Sequence, residues 1–330
     1  MRILGTGSAT PEHVLTNDML AAMVDTSDEW IRTRTGVAER RTAEHETILS
    51  LALDSAASAL DAAAQTAGFK REDIGLCLCA TATNETRCPS LASLLQRELG
   101  LREGILAFDV NAACSGFLYS LIIASRFVEE GTCALVVGAE LLSHFIDFTD
   151  RATCVLFGDG AGAAVIAPSI PSQVDAPSKA GTAGGLATRE AKETAALFEW
   201  VTKSQGNFDV LNITDCIHMD GAAVFKFAVE SLVEMTEEVL QKAHLGIGQV
   251  GLFICHQANE RIIKAAAKRL GVPLERFFMN LQKYGNTSAA SIPLALDEAV
   301  RAGLIRPGSI VVLAGFGGGL SAGAVCLTWD

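Results

Sequence analysis

Strand patterns that alternate with helical patterns are the feature that most constrains how this 330-residue chain can fold. The strand patterns are short uninterrupted apolar runs, which are typical of strands buried on both faces, and glycine turns follow them. The alternation predicts an α/β fold in which helices cover the faces of a parallel sheet. Predicted strands are 75–83, 134–138, 250–255 and 309–314, and predicted helices include 54–68 and 223–243.

The two halves of the chain also resemble each other. A strand pattern, a glycine-rich turn and a second strand pattern occur at 156–165 and again at 314–325. Such self-similarity indicates an internal duplication. We predict a first half over residues 1–168, a junction over 169–185 that is rich in Pro, Ser, Ala and Gly, and a second half over 186–330.

Composition excludes several classes of protein. Apolar residues make up 49% of the chain and charged residues 19%, which fits a globular protein with a large core. The net charge of −12 disfavours binding to nucleic acid or to anionic membranes. Because the sequence has neither a membrane-spanning apolar run nor a signal-peptide pattern, we expect a cytoplasmic protein.

The cysteines and glycines also exclude some sites. The nine cysteines stand at irregular positions without a C-x-x-C pair, so they predict neither a disulfide framework nor a zinc site. The glycine clusters do not form the G-x-G-x-x-G turn of a Rossmann nucleotide site. They fit tight turns between antiparallel strands, and one of them can offer a backbone N–H to an oxyanion.

One cysteine is a candidate nucleophile. Cys114 stands between a short apolar segment and a helical pattern that begins near Gly116. Exposed backbone N–H groups at a helix N-terminus lower the pKa of a thiol, so this position favours a reactive thiolate. A buried structural cysteine fits the local sequence equally well.

Two further motifs favour the catalytic interpretation. His256 follows a predicted strand, and Asn286 lies in a loop that runs into a helix. Taken alone, such a histidine is more often structural, and a Gly-Asn pair usually marks only a turn. Together with Cys114 they provide a nucleophile and two hydrogen-bond donors.

The order of the motifs then points to a family. The chain resembles β-ketoacyl-acyl-carrier-protein synthase III over nearly its whole length, and the resemblance is weakest at about 169–212. The matching segments are 5–8 (GTGS), 24–31 (VDTSDEWI), 34–37 (RTGV), 40–41 (RR), 109–117 (DVNAACSGF), 150–151 (DR), 157–162 (FGDGAG), 256–261 (HQANER), 285–290 (GNTSAA) and 316–319 (FGGG).

The resemblance implies both a fold and an activity. The fold would be thiolase-like, with two duplicated halves in a five-layered α-β-α-β-α arrangement, in a homodimer. The activity would be the initiating step of bacterial fatty acid synthesis. In it an acyl-CoA primer condenses with malonyl-acyl-carrier protein, which releases CoA and carbon dioxide and needs no metal or redox cofactor.

The same resemblance assigns roles to the polar set. Cys114 would carry the acyl group, and its backbone N–H together with that of Gly318 would form the oxyanion hole. His256 and Asn286 would hold the enolate that decarboxylation creates, and neutral donors are sufficient for that task. Phe316 resembles the phenylalanine that shields this site.

Further positions match the family's binding residues. The adenine of CoA would lie between Trp30 and Arg151, Arg34 would hold its phosphate, and Gly221 and Asn259 would line the mouth of the pantetheine tunnel. Without the resemblance, Trp30 fits a core residue and Arg151 a surface charge. The segment that would bind carrier protein consists of Gln257, Ala258, Asn259, Glu260 and Arg261, with Lys264 and Lys268 on the basic face of the following helix and Lys226 adjoining it.

Three departures from the family pattern concern specificity and packing. Glu260 places a negative charge where relatives commonly carry an apolar residue, and Ser321-Ala322 replaces a common Thr-Trp pair. Cys88 stands where a phenylalanine often caps the acyl pocket of the partner subunit. A smaller cap predicts a longer or bulkier primer, in a pocket to which Leu142, Phe157, Met219 and Phe316 also contribute.

Other functions remain open at this point. Cys, His and Asn also compose the catalytic set of papain-like hydrolases, although the C-G-[SA]-C-[WY] signature is absent. A cysteine thioester hydrolase, a condensing enzyme of specialised metabolism and a non-catalytic partner of another condensing enzyme are the alternatives. Retention of all three polar residues disfavours the last of these.

Overall fold

The computed structural model describes residues 1–66, 68–169 and 196–330. The strands there are β1 Arg2–Ala9, β2 Val14–Thr16, β3 Glu39–Arg41, β4 Ile74–Ala80, β5 Leu106–Val110, β6 Cys133–Glu140, β7 Gly160–Ala167, β8 Phe198–Asn207, β9 Leu211–Ile213, β10 Ile217–Met219, β11 Leu252–Cys255, β12 Phe277–Phe278, β13 Ile310–Gly317 and β14 Gly319–Thr328. The α-helices are α1 Asn17–Ala21, α2 Asp28–Thr35, α3 Ile48–Ala63, α4 Leu91–Glu98, α5 Gly116–Phe127, α6 Arg151–Cys154, α7 Gly221–Lys242, α8 Glu260–Leu270, α9 Leu281–Tyr284 and α10 Ser291–Arg301.

Two five-stranded sheets repeat one topology. The strand order is β1-β7-β6-β4-β5 in the first sheet and β8-β14-β13-β11-β12 in the second. In each sheet the first three strands pair antiparallel and the last two join them in parallel. The sheets are therefore mixed rather than purely parallel, and their matching order confirms the predicted duplication of the fold. The proposed junction lies, except for Ser169, outside the described residues, so the boundaries of the halves stay a prediction.

Helices α5 and α10 fill the space between the two sheets. Phe117 and Leu121 of α5 and Leu296 of α10 pack in one cluster with residues of both sheets, among them Leu78, Val136, Ile254 and Leu313. The alternate residues of the first sheet, including Cys77 and Cys79, face α3 and α4. Helices α7 and α8 cover the outer face of the second sheet. The result is the five-layered α-β-α-β-α arrangement that the resemblance implies.

Local sequence explains where the elements begin and end. Helix α3 starts six residues before the predicted position because Thr47 and Ser50 form a reciprocal capping box at its N-terminus. Helix α2 ends at Gly36, whose φ of 84° is a left-handed conformation that glycine adopts without strain. Seven of the nine free cysteines are buried, Cys216 is half-buried and Cys88 is exposed.

The segment 156–165 differs from the prediction. It was expected to form two strands around a glycine turn, yet only β7 forms, and Phe157 makes a single isolated bridge to Asn286. The cause is tertiary contact, because the carboxylate of Asp159 accepts hydrogen bonds from Ser143 and from the backbone N–H of Ala43. The corresponding segment 314–325 does form a hairpin, from β13 and β14. None of the helices within the described ranges is long and apolar enough to cross a membrane.

A substitution at Gly138 tests how closely the loop before α10 approaches β6. A Cβ at position 138 would lie 2.3 Å from the carbonyl oxygen of Ala289, which is backbone and cannot rotate away. We expect Gly138→Ala to lower the free energy of unfolding by about 1–3 kcal/mol. Gly248→Ala is the matched control, since no atom lies within 4 Å of its Cβ position. Urea unfolding measures both, and equal stability of the two variants would contradict this packing.

Candidate active site

The N-terminus of the central helix α5 positions Cys114. A 3-10 turn, Ala113–Ser115, joins β5 to this helix, and Ala113 adopts a left-handed φ of 45° within it. The tip of the β13–β14 hairpin lies directly against the cysteine, where a Cβ on Gly317 would be 2.8 Å from the Cβ of Cys114. The cysteine is 7% exposed, so it is enclosed by both halves of the fold.

Burial decides the protonation state of this thiol. Desolvation by burial raises the pKa of Cys114 to about 11, although the Ser288 side chain and the backbone N–H groups of Cys114 and Gly318 act to lower it. The prediction of a lowered thiol pKa is therefore wrong for the free protein. A helix N-terminus offers at most about 2 kcal/mol, which is less than burial of a thiolate costs here. The backbone N–H groups of Cys114 and Gly318, which are the predicted oxyanion-hole donors, nevertheless both lie at the sulfur.

His256 follows β11 and is 1% exposed. Burial lowers the pKa of His256 to about 3, so the imidazole is neutral at physiological pH. Its Nδ1 lies 2.6 Å from Ser291 Oγ, and the backbone N–H of Gln257 donates to this oxygen at 3.5 Å. We assign the hydroxyl hydrogen of Ser291 to Nδ1, which leaves the imidazole hydrogen on Nε2 as a donor. The ring of Phe316 packs edge-on at 5.1 Å between centroids.

The loop after α9 fixes the orientation of Asn286. Its backbone N–H donates to Leu156 O at 2.8 Å, and its carbonyl accepts the N–H of Gly158 at 3.0 Å. The side-chain Oδ1 accepts the N–H of Ser288 at 2.9 Å. Because the amide oxygen is occupied in this way, the NH₂ group is the part of the side chain left to donate to a ligand.

Cys114, His256 and Asn286 line one cavity. Of the other predicted site residues, the same cavity is lined by Trp30, Arg34, Phe157, Met219, Gly221, Ala258, Asn259 and Phe316. A second cavity meets the first at Cys114, Phe157 and Leu211, and Leu142 and Gly318 line it. The sulfur thus lies where two cavities join.

Trp30 and Arg151 stack at the outer part of the first cavity. The guanidinium carbon of Arg151 lies 4.8 Å from the centroid of the Trp30 ring, and its Nη1 donates to Asp25 O at 2.8 Å. Arg34 lies 5.9 Å from the same centroid. Asn259 joins this region to α8, because it donates to Arg34 O at 3.1 Å and caps the helix.

Helix α8 presents an exposed basic face and a buried apolar one, as predicted. Arg261, Lys264 and Lys268 are exposed, whereas Ile262 and Ala266 are buried. Glu260 forms an ion pair with Lys264 at 2.9 Å, which offsets part of this positive charge. The exposed Lys226 lies on α7, and the neighbouring Phe225 ring packs under Arg261, whose guanidinium carbon is 5.7 Å from its centroid.

Two predicted residues lie elsewhere than expected. Gln257 is 1% exposed, and its amide donates to the carbonyls of Cys255 and Phe278 at 2.7 and 3.1 Å. It therefore cannot offer its side chain to a carrier protein, and the prediction for this residue is wrong. Cys88 is exposed and lines neither cavity of its own chain. Its proposed role concerns a partner subunit and stays a prediction.

Sequence reasoning missed four polar residues around the nucleophile. Ser291 orients His256, and Ser288 and the buried Glu140 form a hydrogen-bonded pair beside Cys114. Ser321 donates to Gly318 O at 2.9 Å and lies 3.1 Å from Ser115 Oγ, so it holds the hairpin tip in place. A charged residue at the end of an all-apolar strand was the available signal for Glu140. Within the described ranges, no group of three or more His, Cys, Asp or Glu could hold a metal ion.

Comparisons with known proteins identify the family of the chain. The family of 3-oxoacyl-[acyl-carrier-protein] synthase III matches residues 108–184, and its C-terminal part matches residues 240–329. A β-ketoacyl-[acyl-carrier-protein] synthase III of Symbiobacterium thermophilum is 46% identical over 341 residues, covering 99% of this chain and 97% of that protein. The corresponding protein of Aquifex aeolicus is 45% identical over 332 residues, covering 99% of each.

A solved structure extends the similarity to the fold. The crystal structure of 3-oxoacyl-[acyl-carrier-protein] synthase III from Aquifex aeolicus matches with a TM-score of 0.88 at 43% sequence identity, covering 99% of each chain. The thiolase-like fold expected from the motifs is thereby confirmed. Since sequence and structure agree over the whole length, the chain belongs to the β-ketoacyl-[acyl-carrier-protein] synthase III family.

Proposed function

We propose that Cys114 takes an acyl group from acyl-CoA and that His256 and Asn286 support its condensation with malonyl-acyl-carrier protein. As a member of its family, the chain is an acyltransferase that initiates type II fatty acid synthesis. The observation that carries the assignment of residues is that all three line one cavity, although Cys114 comes from the first half of the fold and the others from the second.

The surroundings of Cys114 suit transfer between thioesters. A sulfur nucleophile forms a thioester of nearly the same energy as the one it consumes. The N–H groups of Cys114 and Gly318 lie at the sulfur, within reach of the carbonyl oxygen of an acyl group whose carbonyl carbon is bound to that sulfur. Donors held in this way stabilise the tetrahedral intermediate, and loss of one typically costs about 10²–10³ in rate.

The surroundings of His256 and Asn286 suit decarboxylation. The enolate that forms from malonyl needs donors that are present before the charge develops. Nε2–H of the neutral His256 and the NH₂ group of Asn286 are such donors, and Ser291 and Ser288 hold them in orientation. Because the pKa of His256 is about 3, its protonation state stays constant across the physiological range.

The same low pKa disfavours a thioester hydrolase. A general base that activates water works best with a pKa near the operating pH, which a buried imidazole with a pKa of about 3 does not have. The edge of the Phe316 ring against His256 also reduces access of water to the imidazole. Curated relatives of 45–46% identity are named as synthases of β-ketoacyl carrier protein, which disfavours a condensing enzyme of specialised metabolism.

Contacts at the outer part of the cavity support the binding assignments. Trp30 offers a flat aromatic face beside Arg151 for an adenine, and Arg34 offers a positive charge for a phosphate of CoA. Gly221 and Asn259 lie at the tunnel that leads to Cys114. The exposed Arg261, Lys264, Lys268 and Lys226 form a local basic surface on a chain of net charge −12, which suits an acidic carrier protein.

A homodimer and a cytoplasmic location complete the proposal. Strand β5 lies at the edge of the first sheet and carries the exposed Leu106 and the half-buried Phe108 and Val110. A second copy that paired along this edge would satisfy its backbone and cover the second cavity, which Val110 lines. The apolar Leu142, Phe157 and Ile217 of that cavity suit the acyl chain. The reaction needs no cofactor beyond its two substrates.

The half-reactions test the three residues separately. We expect Cys114→Ala to form no acyl-enzyme, whereas His256→Ala and Asn286→Ala form it but decarboxylate malonyl-carrier protein about 10²–10³ times more slowly. Intact-mass analysis after incubation with acyl-CoA reports the first step, and released carbon dioxide reports the second. Cys216→Ala, which removes a half-buried thiol outside both cavities, is the control. Equal loss of both steps in the His256 variant would contradict this division.

The pH dependence of alkylation tests the state of the free thiol. Because burial raises the pKa of Cys114 to about 11, its thiolate fraction should rise about tenfold per pH unit between pH 7 and 10. Peptide mass spectrometry after iodoacetamide treatment measures the rate at each cysteine, and the exposed Cys88 serves as the internal comparison. A plateau of the Cys114 rate below pH 8 would show that the helix N-terminus outweighs burial.

The size of residue 88 tests the choice of primer. We expect wild type to accept branched or medium-length primers, and Cys88→Phe to lose about fourfold in kcat/KM per added methylene. Cys88→Ser keeps the volume of the side chain and should keep the preference of wild type. Steady-state rates with acetyl-CoA and longer acyl-CoAs measure this. If wild type accepts only acetyl-CoA, residue 88 is not the cap of the partner's pocket.

A further inference from the structure

Glu140 is a buried carboxyl group without a cation. It ends strand β6, is 0% exposed, and takes part in no ion pair within the described parts of the chain. Burial raises the pKa of Glu140. Such a group costs folding free energy unless it is fully hydrogen-bonded, so its presence beside the nucleophile needs a reason.

Donors surround this carboxyl group on both oxygens. The hydroxyl of Thr83 lies at 2.6 Å, that of Thr81 at 3.3 Å, and the N–H of Ala82 at 3.1 Å. Ser288 Oγ donates to Oε1 at 3.0 Å, and the N–H of Ala289 points at the same group. Because every contact is a donor, these hydrogen bonds favour the ionised form, which can accept a proton, and they offset part of the effect of burial.

The Ser288 hydroxyl connects Glu140 to Cys114. Ser288 and Cys114 line the second cavity together, and the Ser288 side chain is close enough to the sulfur to influence the pKa of the thiol. The Ser288 hydroxyl has one hydrogen and donates it to Glu140 Oε1, so a lone pair of its oxygen is left to accept the hydrogen of the thiol. A thiol that donates to Oγ would complete the order S–H to Oγ and O–H to Oε1, which a proton relay requires.

Among the described residues near the sulfur, no other group is placed to take its proton. His256 carries its hydrogen on Nε2 and has a pKa of about 3, so it is a poor base. Burial raises the pKa of the thiols of Cys79 on β4 and of Cys114, and the charge of Glu140 adds to both shifts. Strand β7 and the loop 286–290 contribute no titratable side chain. Asp159 adjoins Gly160, which pairs with Glu140 across the sheet, but the carboxylate of Asp159 already accepts hydrogen bonds from Ser143 and Ala43.

We propose that Glu140 accepts, through the Ser288 hydroxyl, the proton that Cys114 releases when it attacks the primer thioester. As the bond from sulfur to the acyl carbon forms, the thiol hydrogen passes to Ser288 Oγ and the hydroxyl hydrogen passes to Glu140 Oε1. The bond to CoA breaks, and the CoA thiolate takes a proton from solvent. After condensation the relay runs in reverse, so the expelled Cys114 thiolate recovers its proton from Glu140.

The test separates the two half-reactions and follows pH. It rests on the proposed role of Cys114 and uses Glu140→Gln, Ser288→Ala and the control Ser120→Ala, which removes a buried hydroxyl of α5 that has no hydrogen-bond partner among the described residues. We expect acyl-enzyme formation, measured by rapid quench and intact mass, to fall about 100-fold in the first two variants. One turnover of acyl-enzyme preformed by long incubation should change less than about threefold, because condensation precedes the return of the proton.

The pH profile gives a readout that a merely structural role would not move. Glu140 must be ionised to accept the proton, and its pKa is raised, so acylation by wild type should fall as pH drops through a value above the ordinary glutamate range. Glu140→Gln should lose this acidic limb. A Gln variant acylated at the wild-type rate, or one slowed equally in both half-reactions with the limb intact, would overturn the relay.

Misfolding of a variant and failure of the proposed function would each give a result different from those above. Should Glu140→Gln fail to fold, Ser288→Ala with the same pH series decides the matter, since it leaves the carboxyl group and its other donors in place. Failure of the proposed function would look different, because the acyl label would then appear on a residue other than Cys114 in wild type.

Discussion

Burial of Cys114 where the two halves of the fold meet is the constraint on which the rest of the site depends. The cysteine lies in the 3-10 turn that leads into the central helix α5, and the hairpin of the second half approaches so closely that position 317 has no room for a side chain. That approach brings the N–H of Gly318 to the sulfur. The oxyanion donors therefore exist only because the duplicated sheets pack on one layer of helices.

The same burial shifts the pKa of the titratable groups around the sulfur. It raises the pKa of the Cys114 thiol, lowers that of His256 and raises that of Glu140, where hydrogen-bond donors oppose the effect of burial. A site of this kind cannot use a permanent ion pair of thiolate and imidazolium. It works instead with neutral donors that are fixed before reaction, which suits charge that develops on a substrate oxygen and then disappears.

Much of this arrangement could be predicted from sequence, and the errors have physical causes. Cys114, His256 and Asn286 each follow a local signal, and the cavity that contains all three agrees with those signals. The predicted direction of the pKa shift of the Cys114 thiol is wrong. A helix N-terminus is visible in the local sequence, whereas desolvation by a hairpin far along the chain is not.

Tertiary contacts explain the remaining differences. The family resemblance assigned Gln257 to the segment that binds carrier protein, but the carbonyls of Cys255 and Phe278 hold its amide inside. The segment 156–165 has strand-like apolar residues, yet the hydrogen bonds of Asp159 hold residues 156–159 as a loop before β7. Ser288 and Glu140 are far apart in sequence, so nothing local predicts that they meet.

The position of the sulfur between two cavities imposes an order on the proposed reaction. In the proposed reaction, CoA and the arm of the carrier protein would both reach Cys114 through the first cavity, which Trp30 and Asn259 line. Two substrates that share one cavity would bind in turn, so the acyl group would stay behind on the enzyme when CoA leaves. The apolar second cavity, which Leu142 and Ile217 line, gives it a place to stay. The arrangement of the two cavities therefore suits a covalent acyl-enzyme intermediate, as does the chemistry of the cysteine.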